Sequence, residues 1–249
     1  MQNLYKKKIA SLISFFTLKK KLGDRILTYH SINNKKNSTT SNIYQLEKDL
    51  FYNQVKLLID KKVNFELIDN FQNNKINYLI TFDDGFKNLK DKILEFLSNH
   101  KIPCLLFLCP DLIKSNNKNY LNLSDVKEIS KNEFIKIGSH AYTHQKLTDH
   151  NDLNLNFQLE SSKKWLEDIT SKKVNAISYP FGAFNKKVLE KVKLSGYKYG
   201  FTTKFNFYNS SHDSKLQIPR VDIWDSDDLN TFTNKINGKW NWMRFFSKY

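Results

Sequence analysis

Two acidic residues follow directly on an apolar run in Ile80-Thr81-Phe82-Asp83-Asp84-Gly85. Adjacent side chains on an extended chain point to opposite faces, so these carboxylates can separate, one binding a cation while the other accepts a proton. Read as ordinary structure, the pair is a turn at Gly85, where Asp is common. A second apolar run ends in Gly138-Ser139-His140-Ala141-Tyr142-Thr143-His144. Histidines four apart share a face on a helical turn, a workable spacing for metal ligands, although a surface pair is the simpler account of the spacing alone. Two His and one Asp would make three protein ligands, and with one open position that is what a catalytic zinc site requires. The open position would hold a water made acidic by the metal. In Ile177-Ser178-Tyr179-Pro180-Phe181-Gly182 the proline fixes φ and the glycine permits unusual angles. That turn could aim the Phe181 N–H at a developing oxyanion, or it could simply join a strand to a helix. Finally, Arg220 lies inside the apolar stretch Gln217-Ile218-Pro219-Arg220-Val221-Asp222-Ile223. An arginine there needs a carboxylate partner. Asp83 is the candidate, with Asp222 or a purely structural partner as the alternative.

These clusters need strands that end where the chemistry begins. Apolar spacing predicts strands over 25–32, 64–68, 77–82, 102–109, 134–138, 174–179, 197–203 and 216–223. Helical spacing predicts helices over 44–62, 86–100, 152–168, 185–195 and 227–236, and a short one capped by Ser124. Strands alternating with helices imply a mainly parallel α/β sheet with right-handed crossovers, either open and doubly wound or closed as a barrel. Both place chemistry at the C-terminal ends of the strands, where all four clusters fall.

The 249 residues suit one domain with short extensions, and 40% hydrophobic with 14% aromatic residues excludes a disordered chain. No stretch approaches the roughly 18 apolar residues of a spanning helix. Lys and Arg number 40 against 25 Asp and Glu, a formal charge of +15. Only Arg25, Arg220 and Arg244 are arginines, and basic clusters are confined to 6–8 and 19–21, which argues against a nucleic-acid partner. A solvated lysine-rich surface, or attraction to an anionic lipid or glycan, accounts for the charge. Cys104 and Cys109, five strand steps or about 16 Å apart, are too distant for a disulfide and read as free core thiols, weakly favouring a reducing compartment.

Residues 1–22 stand apart. Lys6-Lys7-Lys8 and Lys19-Lys20-Lys21 flank an apolar stretch in which Tyr5, Ile9, Leu12, Ile13 and Phe16 share a helical face. Lysines stand where a secretory leader would carry its cleavage site. The segment reads either as an interfacial amphipathic helix or as a helix packed on the domain. With the aromatic and basic tail 237–249, it leads to the expectation of a cytoplasmic protein, peripheral on the inner face of the membrane.

Thr81-Phe82-Asp83-Asp84-Gly85, then Ser139-His140 with His144, then Tyr179-Pro180-Phe181-Gly182, in that order, resemble the NodB-homology polysaccharide deacetylases, carbohydrate esterase family 4. The strand at 103–110 with its preceding helix, and Leu27-Thr28-Tyr29-His30-Ser31-Ile32, also resemble that family, so the likeness covers about residues 25–236. It implies a distorted (β/α) barrel of about seven strands over residues 23–236 that removes an N-acetyl group from an amino sugar. It also implies that Asp84, His140 and His144 hold a divalent metal, zinc by default, that Asp83 is the general base, and that the Phe181 N–H holds the oxyanion. The substrate would be an N-acetylated glycan or a lipid-linked sugar. Two positions depart from the family pattern. Ser178 stands where the third motif often carries an arginine, which Arg220 could replace. No late histidine motif supplies a general acid, leaving His30 as the first candidate and His212 as the second. A catalytically inactive carbohydrate-binding barrel is the alternative reading.

Overall fold

The computed structural model describes residues 23–34, 44–72 and 74–246. The expectations for segment 1–22 and for the last three residues of the tail lie outside the described residues. Seven parallel strands close into a barrel in the order β1 (Arg25–Tyr29), β10 (Ile218–Asp222), β9 (Tyr199–Phe205), β8 (Ala176–Ser178), β7 (Ile135–Ser139), β6 (Cys104–Leu108) and β5 (Asn77–Phe82). The ring is sealed by β1 on β5, with Leu27 opposite Ile80 and Tyr29 opposite Phe82. Of the two architectures open to the sequence, the barrel is therefore the one formed. The short strand β4 (Asn64–Phe65) is appended to β5, and β2 (Ser31–Asn33) pairs with β3 (Gln45–Glu47) outside the barrel.

Strand alternation organises the core. Leu27, Tyr29, Ile80, Phe82, Leu106, Ile137, Ile177 and Val221 face the surrounding helices in one large apolar cluster. Ile26, Leu79, Leu105, Phe107, Ala176, Phe201 and Ile218 form a second cluster inside the barrel. Continuing each inward row by two residues turns apolar side chains into polar ones at the C-terminal mouth. Ile26 leads through Thr28 to His30, Leu79 through Thr81 to Asp83, and Ile218 through Arg220 to Asp222. Gly138 is needed within its row, because a Cβ there would lie 2.6 Å from the Phe107 ring.

Several boundaries differ from the sequence expectation. The first strand breaks at His30, where the chain leaves the barrel to form β2. Residues 45–47 are extended because they pair with β2, so the following helix begins only at Lys48 and runs to Asp60. The helix Leu123–Ile129 is capped by Asn122, not Ser124: the Asn122 side chain accepts from the Asp125 N–H while the Asp125 carboxylate accepts from the Asn122 N–H. Cys104 and Cys109 are free and buried. The tail is partly core: Trp240 is buried with its ring 5.8 Å from that of Trp224, while Phe245 is exposed. Among the described residues no helix is long and apolar enough to cross a membrane.

Candidate active site

Asp83 and Asp84 separate for a reason visible in the backbone. Asp83 continues the inward row of β5, and its N–H donates to the Tyr29 carbonyl at 3.0 Å. Asp84 has φ 71, a left-handed conformation that short polar residues tolerate better than most. That turn brings its Oδ1 to 3.3 Å from His140 Nε2 and 3.1 Å from His144 Nε2. The three ligand atoms lie within 4.8 Å of one another. His140 continues the inward row of β7 beyond Gly138. His144 arrives by a different route from the helical turn its spacing suggested: residues 140–146 form an irregular loop with φ 59 at Ala141 and φ 54 at His144.

The loop is held by a residue that sequence reasoning missed. Gln158, buried on the helical segment behind the loop, accepts from the N–H groups of Tyr142 and Thr143, each at 3.0 Å, and donates to Thr143 Oγ1 at 2.8 Å. The Tyr142 carbonyl in turn accepts from the Asp111 N–H at 3.0 Å. Nothing in the spacing of Gln158 signals this, because its partners, two backbone N–H groups and the Thr143 hydroxyl, lie in an irregular loop 15 and 16 residues away.

The donor set suits a cation. His140 Nδ1 faces the Ser178 carbonyl at 2.8 Å, which leaves Nε2 to the cluster, the arrangement that orients metal-bound imidazoles. Asp84 Oδ1 is buried and, although close to both imidazoles, accepts no hydrogen bond of sound geometry. A buried oxygen of this kind beside two ring nitrogens matches three ligands facing one ion.

Asp83 lies next to this cluster in a different environment. Of the two partners open to Arg220, it is Asp83 that takes it, with Nη1 donating to Oδ1 at 2.8 Å and Nη2 to Oδ2 at 2.7 Å. Nε donates to the Thr202 carbonyl at 3.0 Å and Nη1 also reaches Thr81 Oγ1 at 3.3 Å. Ser178 stands between the pair, donating to Asp83 Oδ2 at 3.1 Å and accepting from Arg220 Nη2 at 2.9 Å. Both charged groups are buried, Arg220 at 1% and Asp83 at 3% exposure. Burial alone would raise the Asp83 carboxyl, but the charges of Arg220, His140 and His30 outweigh it and hold it at about 2.

The other candidates are less tightly assembled. Phe181 adopts φ 59, the residue is 55% exposed, and its ring centroid lies 5.0 Å from that of His144. The turn depends on Gly182 at φ 68, where a Cβ would lie 2.0 Å from Thr203 Oγ1. His30 follows directly on β1 at the mouth, close enough that a charge on it would favour the ionised forms of Asp83, Asp84 and Asp222. Burial pushes the Asp222 carboxyl up, against Arg220, His30 and Lys235. His212 is exposed, in a hollow shared with Lys204, Asn206 and Asp213 and with none of the cluster residues.

A parallel seven-stranded barrel with these motifs at its mouth defines a class, and comparison with known proteins agrees. The polysaccharide deacetylase family profile matches residues 72–200, more than half of the chain, and the chain belongs to that family. Among similar proteins, YxkH of Bacillus subtilis (strain 168), itself named for the polysaccharide deacetylases, is 28% identical over 187 residues, 72% of this chain and 64% of that one. The chain thus spans just under two thirds of the length of YxkH. The poly-beta-1,6-N-acetyl-D-glucosamine N-deacetylase of Staphylococcus aureus (strain MRSA252) is 24% identical over 200 residues, 73% of this chain and 69% of that one. The Streptococcus pyogenes deacetylase PplD, solved in complex with acetate, shares the fold with a TM-score of 0.78 at 20% identity, over 86% of this chain and 98% of that one. His30 and Arg220 both lie outside the family match, so their places in the site rest on this structure.

Proposed function

We propose that the chain is a metal-dependent hydrolase that removes N-acetyl groups from an amino sugar in a polysaccharide or lipid-linked saccharide. The observation that carries this reading is the convergence of Asp84, His140 and His144 beside an ionised, arginine-held carboxylate at the barrel mouth. Asp84, His140 and His144 would hold the metal, and two imidazoles with one carboxylate suit zinc. A divalent ion bound there supplies Lewis acidity toward the acetamide carbonyl and acidifies a water. Asp83 takes the proton of the attacking water as the new C–O bond forms. Its two oxygens are directed by Arg220 and Ser178, so the carboxylate cannot rotate away. The Phe181 N–H donates to the oxygen that gains charge. His30 gives a proton to the sugar nitrogen as the C–N bond breaks, so the products are acetate and a free amine.

The reading extends to where the chain works. Lysine runs flank the apolar stripe of segment 1–22, which supports a peripheral place on an anionic, inner membrane face and a lipid-linked substrate. To test the activity, purified protein is incubated with N-acetylated oligosaccharides and lipid-linked sugars, with and without chelator. Acetate release that stops with chelator and returns with zinc is expected. Parallel zinc titrations of His140→Ala and His144→Ala should show lost stoichiometric binding. Unchanged binding in both would end the metal assignment.

A further inference from the structure

We infer that Tyr44 is a positioning residue that holds the His30 imidazole in place at the barrel mouth. This rests on the proposed role of His30 in deacetylation. His30 sits where the chain leaves β1 of the barrel and enters β2. Tyr44 sits immediately before β3, and the two short strands run parallel with Ser31 opposite Gln45. The Ser31 N–H donates to the Tyr44 carbonyl at 3.2 Å, so residues 30 and 44 are laced side by side by backbone. Their rings meet with centroids 4.3 Å apart and planes inclined by 36°.

The two site histidines at strand ends are secured differently. His140 has Nδ1 against the Ser178 carbonyl. His30 Nδ1 is buried without a hydrogen-bond partner among the described residues. An imidazole not tethered at that nitrogen can change rotamer unless a neighbour blocks it, and the Tyr44 ring covers it. Tyr44 itself belongs to the site: burial raises its phenol to about 12, reinforced by the charges of Asp222, Asp83 and Asp84 and opposed by Arg220. Tyr44 is itself 38% exposed, so one side of the residue stays open to solvent.

An aromatic contact of this kind shifts an equilibrium by between about two- and tenfold. Steady-state acetate release is measured for wild type, Tyr44→Phe and Tyr44→Ala, each with His30 intact and with His30→Ala. Tyr44→Ala should lower kcat roughly tenfold while KM stays within about twofold, and Tyr44→Phe, which keeps the ring, should stay within about threefold. On the His30→Ala background, Tyr44→Ala should have no further effect. An equal loss with and without His30, or a raised KM at unchanged kcat, would overturn the inference and make Tyr44 a substrate contact. Crystal structures of Tyr44→Ala and Tyr44→Phe provide a readout that needs no activity. The His30 ring should be displaced in the first and in place in the second, and an unmoved ring in Tyr44→Ala sinks the inference. Should wild type release no acetate from any substrate, the deacetylase reading fails, while the position of His30 still decides the role of Tyr44.

Discussion

As the proposed general base, Asp83 would carry two burdens that pull in opposite directions. A general base needs acceptor strength, yet Arg220 keeps its carboxyl at about 2, so it is ionised at every physiological pH. What Arg220 contributes is direction and a stable charge in a buried place. Asp83→Asn keeps the shape and removes the acceptor, so acetate release should fall about 10²–10⁴-fold while zinc content by elemental analysis stays at the wild-type level. Near-normal turnover with metal retained would remove Asp83 from that role. The same pair has a signature in stability. The folded carboxyl lies below its ordinary 3.8, so its contribution is fully present above that value and is lost as pH falls toward about 2. The amount is on the order of 2 kcal/mol. Urea unfolding of wild type at pH 5, 4 and 3 should show that decline, and Asp83→Asn should flatten it. Parallel pH dependence in both proteins would mean that other carboxylates govern acid unfolding.

At the scale of elements, the site joins rigid strand ends to a strained loop. Asp83, His140 and Arg220 come from inward rows of the barrel, whose backbone is fixed by neighbouring strands. His144 comes from a loop with two residues at positive φ, so something must hold it against relaxation. Gln158 does this by satisfying two loop N–H groups at once. Gln158→Leu leaves those partly buried donors without their acceptor, at a cost of about 1 kcal/mol, and loosens His144. Zinc affinity measured by competition with a chelating dye should fall about 10–100-fold, without replacement of any ligand. Unchanged affinity would show that the turn geometry is held by the strands alone.

The whole molecule presents its chemistry at one end of a closed ring, and the charge of +15 bears on where that end meets its substrate. If segment 1–22 seats on an anionic bilayer, each basic residue near the surface adds about 1 kcal/mol. The full chain should float with anionic liposomes at low salt, and less at 0.5 M salt. Replacing Lys6, Lys7 and Lys8 by Gln should weaken flotation further. Equal flotation of both proteins would remove the membrane proposal and favour a soluble glycan. Trp240 takes no part in such a contact, since it is packed in the core.

The alternation of strands and helices and the three motifs were readable locally, because strand period, apolar runs and turn residues act over a few positions, whereas strand ends such as that of β1 at Tyr29 were set by pairing with other segments. Sequence alone also placed Asp83, Asp84, His140 and His144 at strand ends. Whether the sheet stayed open or closed was not readable, because β1 meets β5 across some fifty intervening residues and local periodicity is the same in both cases. The partner of Arg220 was left open between Asp83 and Asp222 for the same reason: both are carboxylates near strand ends, and only the barrel's inward rows bring the guanidinium between Thr81, Ser178 and Asp83. The spacing of His140 and His144 suggested a helical turn, yet a loop pinned by Gln158 brings them together. Tyr44 read as the start of a helix, and pairing of β3 with β2 laid it on His30 instead. Local patterns are set by side-chain periodicity, whereas the site's second layer depends on pairings that periodicity does not register: His30 with Tyr44 through β2 and β3, Gln158 with the loop at 142–143, and Arg220 with Asp83 across the barrel.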